Sequence, residues 1–449
     1  MRFPPSRRPL WVSAVHDAIR RLDAGKVPAT LRAIMAEMTG PETLRAASES
    51  EPVSGTVSTA LSASPRSGGA GTVSWASRVV MFGATSIVIG VLWDISWHRT
   101  IGRDTFWTPA HLAIYLGGLL GGLTAAWLIA RTTWLASETE RAGAVGIWGL
   151  RGPLGAWVCA WGSLAMLTSA PFDNWWHDAY GLDVKILSPP HTLLALGMFG
   201  IVIGALLLVL REQNLAPPEA DAPGSRLLLY AGGVIVAMLA TFVIEEGWPN
   251  QQRSHPFYLI SAGTYPLYLV AVARASRHRW AATIAALGYM GISCFMLWVL
   301  PLFPGEPGLG PVYRRIDHFV PLPFPLLLVV PALGLDLLRG GMRPGRGGWR
   351  DWMFCVAAGF VFMALFGLAQ WHFSEFLLSP GARNGFFGAD RHWGYTDRAG
   401  DYQFRFWTDV ARRRNPPATW TTFLLASGVA MVTCRFGLWL GNGMARVRR

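Results

Sequence analysis

Apolar runs of about 20 residues recur along most of this chain, and a helix of that length crosses the hydrocarbon core of a bilayer. Within lipid the backbone must satisfy its own hydrogen bonds, so such runs fold as helices packed on one another. The pattern predicts spans over 79–97, 109–130, 153–172, 190–210, 226–247, 256–274, 280–302, 321–338, 351–378 and 419–440. The expected fold is all-α: a polytopic transmembrane helical bundle of about ten spans, with an N-terminal extension and a flexible linker. Composition agrees, since 15% of the 449 residues are charged, against about a quarter in soluble domains.

Residues 1–45 read as a cytosolic N-terminal segment with helical periodicity and basic residues on one side, without a signal-peptide pattern at Met1. Residues 46–76 are rich in Ser, Ala and Gly and read as a flexible linker. A four-span unit is expected over 77–212, and a further helical membrane region over 213–449 with a long outer loop at 379–418.

The net charge of +12 does not call for a nucleic-acid partner, because much of the excess is Arg in short loops and termini, as membrane topology requires. The Arg distribution puts both termini on the cytoplasmic side of an integral membrane protein, in a bacterial inner membrane. The loop at 379–418 runs against that trend with seven Arg. The four cysteines, Cys159, Cys294, Cys355 and Cys434, fall in separate apolar runs and are expected to pack in the core.

On this topology eight of the ten His gather at the outer ends of spans or in outer loops, with Asp94, Asp173, Glu245, Glu246, Asp317 and Glu375. Ionisable groups near a membrane core are costly and mark functional sites. Two stretches stand out. "WDISWHRTIGRDTFWTPAHLAIY" carries Asp94, His98 and His111; "FDNWWHDAYGLDVKILSPPHTLL" carries Asp173, His177 and His191. In each, an acid and a His stand one helical turn apart, and a short loop leads through Pro to a second His. One such set reads more readily as interfacial hydrogen bonding. Two on the same face favour a metal site, and two imidazoles with a carboxylate suit copper, non-haem iron or zinc.

The first copy resembles the signature of the C subunit of the particulate methane monooxygenase and ammonia monooxygenase family. The resemblance lies in Asp94-Ile-Ser-Trp-His98, Arg103-Asp104-Thr105 and Thr108-Pro109-Ala110-His111, and it covers roughly residues 79–212. It implies copper bound by Asp94, His98 and His111, and partner subunits and an electron donor. The family has a second site of an Asn, a His four residues on, and a His in an "APLH"-like turn. Asp173, His177 and Ser188-Pro189-Pro190-His191 hold those places, with Asp as a departure from Asn.

Secondary candidates are Glu246 with His255 in "EEGWPNQQRSHPFYLI", a degenerate third copy or a salt bridge to Arg253, and His372 and His392, which would close over the site. The expected activity is a copper-dependent membrane monooxygenase, or a subunit of one, acting on a small apolar or ammonia-like substrate. Asp94, His98 and His111 are its catalytic candidates. The alternative is a membrane protein that handles or transports metal without oxygenase activity. Haem binding would need His pairs deeper in the spans and leaves the Asp unexplained.

Overall fold

The computed structural model describes residues 74–449 except 103–104, 182–187, 218–222, 346, 399 and 407–414. The expectations for 1–45 and for nearly all of the linker, the Arg103-Asp104 part of the first motif and the Arg412–Arg414 run therefore lie outside the described residues. Residues Ser67–Arg449 group as one compact unit.

The described chain is built from helices. They are α1 (Trp75–Thr100), α2 (Pro109–Trp134), α3 (Glu138–Ala142), α4 (Leu154–Tyr180), α5 (Pro189–Leu215), α6 (Pro223–Phe242) and α7 (His255–Ala275). Then follow α8 (Ala281–Val299), α9 (Val329–Met342), α10 (Trp349–Leu378) and α11 (Trp420–Met444). A two-stranded antiparallel ribbon, β1 (Val145–Ile147) and β2 (Leu150–Gly152), links α3 to α4.

Among the described residues eight helices are long and apolar enough to cross a bilayer: α1, α2, α5, α6, α7, α8, α10 and α11. The ten expected spans are thus refined at two places. The run at 153–172 is helical, within the 27-residue α4, but its Trp, Gly and Ser keep it less apolar than the eight, and Asp173, Asn174, His177 and Asp178 follow it. The run at 321–338 is helical only from Val329. Pro321, Pro323 and Pro325 remove alternate backbone donors there, so 321–327 cannot hold a helical hydrogen-bond ladder. Side chains supply the missing partners: the N–H of Val320 donates to Thr100 Oγ1 (2.8 Å), Leu326 to Tyr289 Oη (3.0 Å) and Leu327 to Gln370 Oε1 (3.0 Å). Irregular backbone inside a membrane bundle persists where protein groups satisfy it in this way.

The closest packing pairs α4 with α5, α7 with α11, and α1 with α2. The α4/α5 seam depends on glycine. A Cβ on Gly162 would stand 2.8 Å from both the Gly197 carbonyl oxygen and the Ile201 nitrogen, so any side chain there drives the backbones apart. Small residues at such seams are how helices gain dispersion contact in lipid, where burial from water gives no driving force. All four cysteines are buried thiols. Large apolar side chains such as Leu119, Leu123, Leu164, Leu167, Leu424 and Trp439 point outward, as expected of a protein solvated by lipid.

Candidate metal centre

Helices α1 and α2 form one hairpin, and α4 and α5 form another. In both, the acid and the first His lie in the last two turns of the ascending helix, and the second His lies in the first turn of the descending one. The descending helices start alike. Thr108 is the N-cap of α2 and its side chain accepts from the N–H of His111 (3.3 Å). Ser188 caps α5 and accepts from the N–H of His191 (3.4 Å). Proline occupies the first helical turn in both, where its missing N–H costs nothing and its φ is preset. The motif N-cap, Pro, small or Pro, His therefore fixes the second imidazole at the third helical position.

The hairpins bring each triad together. Asp94 Oδ2 is 3.8 Å from His98 Nε2, and Asp94 Oδ1 is 3.2 Å from His111 Nε2. Asp173 Oδ2 is 3.6 Å from His177 Nε2, and Asp173 Oδ1 is 3.6 Å from His191 Nε2. Each carboxylate thus stands between two imidazoles and meets both through Nε2. The sites are half-buried: 24% of the Asp94 side chain and 20% of His111 are exposed, against 34% of Asp173 and 40% of His191.

Two features of this geometry are chemically informative. Asp94 Oδ1 and Asp173 Oδ1 are both buried and receive no hydrogen bond. In addition, His111 Nδ1 lies 3.1 Å from the Thr105 carbonyl oxygen, and His177 Nδ1 lies 3.1 Å from that of Gly181. A carbonyl only accepts, so Nδ1 carries the proton in both rings. That leaves each Nε2 as a lone pair unless a second proton is added. A lone pair and a carboxylate oxygen facing each other repel, so a cation, either a proton or a metal ion, belongs between them. Holding Nδ1 by a backbone carbonyl while Nε2 points at the centre is the usual outer-shell arrangement of a metal-binding imidazole. Among the described residues, however, no group of three or more His, Cys, Asp or Glu side chains is arranged so as to hold a metal ion. The triads present Asp–His pairs around a shared carboxylate.

Aromatic rings flank both centres. Phe106 packs against Trp107 and Tyr115, each with ring centroids 5.0 Å apart, and Tyr115 approaches His111 at 6.0 Å. Beside the second triad Trp176 and Tyr180 stand 4.4 Å apart, with Phe172 and Trp175 next to them.

The secondary candidates are placed differently. His255 begins α7, but its Nδ1 lies 2.8 Å from the Thr422 hydroxyl and its N–H donates to the Pro416 carbonyl. It is thereby tied to α11. Glu246 lies in a short 3₁₀ turn. Arg253, which one of the two readings of this stretch paired with the acids at 245–246, pairs with Glu375 at 2.7 Å. His372 is exposed on α10.

His392 is buried, with 2% of its surface exposed, between Trp248 (5.8 Å) and Trp393 (4.5 Å). Burial, reinforced by the neighbouring Arg99 guanidinium, pushes its pKa down to about 3, so the ring is neutral. Its carbonyl accepts from Arg99, the residue after His98, and Arg99 also pairs with Asp397 (2.7 Å) and lies 4.1 Å above the Trp248 ring. Arg99 was missed as a structural residue by sequence reading. Its only signal was an Arg placed directly after a candidate ligand at a helix end. It pins the 388–397 segment to the end of α1, beside the first triad.

No family model, curated protein or solved structure matches this chain.

Proposed function

We propose that the chain is a copper-dependent membrane oxygenase or a subunit of one, with Asp94, His98 and His111 as its reactive centre and Asp173, His177 and His191 as a second metal site. The observation that carries the reading is the orphaned carboxylate oxygen repeated in both triads, each facing an imidazole Nε2. A metal ion bonded at about 2.0–2.1 Å to tetrahedral N and O ligands sets those ligands about 3.3–3.4 Å apart. The four Asp–His separations, 3.2 to 3.8 Å, bracket that value. The donor set of imidazole and carboxylate suits copper, iron or zinc, and the motif resemblance selects copper.

Copper at such a centre would supply one-electron redox chemistry and activation of O2. The protein's own contribution is positional and electrostatic. Asp94 offsets the metal's charge in a half-buried setting, where that charge is less screened than in water. The Thr105 carbonyl holds the His111 ring, so that Nε2 needs no reorientation. Phe106, Trp107 and Tyr115 give an apolar wall that keeps water away and admits a small apolar or ammonia-like substrate from the bilayer. In this reading both termini are cytoplasmic in a bacterial inner membrane and the triads open toward the outer face, where further subunits and an electron donor would join.

A second reading, metal capture or handling without oxygenase activity, is favoured by one observation: 48% of the His98 side chain is exposed, which suits ligand exchange. Electron paramagnetic resonance of the copper-loaded protein separates the readings when joined to O2 uptake. Two-nitrogen hyperfine splitting with substrate-dependent O2 uptake is expected of the oxygenase. The same spectrum without uptake, in native membranes supplied with an electron donor, supports metal handling, and a spectrum without nitrogen coupling contradicts both.

A further inference from the structure

The end of the bundle opposite the triads holds a half-open cavity of about 410 Å³, within the range of pockets that take small ligands. It lies where α1 begins, α2 and α5 end, and α4 begins, so it is separated from both triads by the length of the helices. Four charged residues line it: Arg131, Arg211, Glu140 and Glu212. Their formal charges cancel. Such a lining suits neither a bare anion nor a bare cation, since each would be repelled by half of it. A ligand carrying both signs fits.

The acidic side is prepared in detail. Glu212 Oε1 accepts from the hydroxyls of Ser74 and Ser77, the latter at 2.6 Å. That grip leaves Oε2, which is buried and receives no hydrogen bond. A buried carboxylate oxygen without a donor costs about 1–3 kcal/mol or more, and a positively charged N–H is the donor that would offset the charge of this carboxylate most strongly. On the basic side Arg131 is 3.8 Å from Glu140, too long for a strong pair, so its guanidinium can turn to a phosphate together with Arg211. The cavity wall includes the indoles of Trp75 and Trp127, about half exposed, and Trp134 and Trp148 stand exposed at the same end of the bundle. Tryptophans gathered in this manner mark the headgroup level of a bilayer.

We infer that this cavity binds a phosphate ester paired with a primary ammonium: the headgroup of phosphatidylethanolamine or the free phosphoethanolamine. The ammonium pairs with the Glu212 carboxylate, the phosphate lies between Arg131 and Arg211, and the indoles support the glycerol end. A choline headgroup has the same charges but no N–H, so it fails at Glu212. A glycerol headgroup lacks the cation.

Native mass spectrometry of the detergent-purified full chain tests the site. The probes are phosphatidylethanolamine, phosphatidylcholine and phosphatidylglycerol, each with and without millimolar phosphoethanolamine. Phosphatidylethanolamine is expected to be retained at least tenfold better than the other two, and Glu212→Gln to lose that preference, as a charge-assisted hydrogen bond is worth about 1.5–3 kcal/mol. Arg211→Gln is expected to weaken the same lipid, and the thermal midpoint of both variants after delipidation controls for folding. Displacement of the lipid by phosphoethanolamine would assign the site to the free metabolite's chemistry, and resistance would assign it to the lipid. Equal retention of all three lipids, or an unchanged preference in a folded Glu212→Gln, overturns the proposal.

Discussion

The two hairpins share a design but not a finish. Both place an aspartate between two imidazoles at the same end of the bundle, and both cap the descending helix with a hydroxyl over Pro. The first is clamped from outside: Arg99 ties the end of α1 to His392 and Asp397, and Thr100 Oγ1 holds the backbone of Val320. The second has Pro171 inside α4, two residues before Asp173, and among the described residues no loop pins His177 in the way that Arg99 pins the end of α1. The first carboxylate also sits closer to its descending-helix imidazole, 3.2 Å against 3.6 Å. The same ligands on a stiffer frame should bind more tightly, because less ordering cost is left to binding.

Removing a carboxylate should separate the sites most. Asp94→Asn is expected to weaken copper binding at the first triad by about 100-fold or more, beyond the 10–100-fold typical of an outer-shell change. Asp173→Asn is expected to weaken the second triad less, since its carboxylate is the more exposed of the two and its charge is better screened. Competition titration with a copper chelator checks both, and equal losses would break the distinction between the hairpins.

Next in size is the helix seam. Gly162→Leu should lower the stability of the folded protein by roughly 1–3 kcal/mol or more through overpacking of α4 on α5. It should perturb the second triad and leave the first intact. Thermal unfolding in detergent, followed by copper titration, reads both effects.

The clamp titrates. Because the His392 pKa is lowered in the folded protein, to about 3, the unfolded chain binds the proton more readily. Its contribution is full above the unfolded pKa of about 6.5 and is lost as pH falls toward 3, by up to about 1.4 kcal/mol per pH unit. Hydrogen exchange at 388–397 should quicken as pH drops from 6.5 to 5 once the intrinsic chemical rate is divided out. His392→Gln should flatten that dependence, and an unaltered slope would remove His392 from the clamp. The smallest effects belong to the caps: Thr108→Ala and Ser188→Ala should each cost about 1 kcal/mol, visible as a lower thermal midpoint.

Much of the architecture was legible in the sequence because bilayer thickness and backbone hydrogen bonding leave few choices for a 20-residue apolar run. The triads were legible for a related reason, since Asp-x3-His and a capped Pro-x-His are local motifs whose geometry one helix end enforces. What escaped was non-local. Pro321, Pro323 and Pro325 were read through as a span, because the partners that stabilise an extended path, Tyr289 and Gln370, are distant in sequence. A salt bridge of Arg253 to the nearer acids at 245–246 was one of two readings, whereas α10 supplies Glu375. His255 looked like another ligand, and only the fold shows Thr422 beside it. Nothing local marks Arg99 beyond its place after His98, and only the fold brings Trp248 and Asp397 to it.

Metal content per chain is the most direct measurement: elemental analysis of detergent-purified wild type, His98→Ala and His177→Ala, each loaded with copper, iron and zinc in competition. About two coppers in the wild type, with one lost in each variant, is the expected result of two independent triads. A wild type that retains no transition metal, or variants that retain as much copper as the wild type, would contradict metal binding at both hairpins.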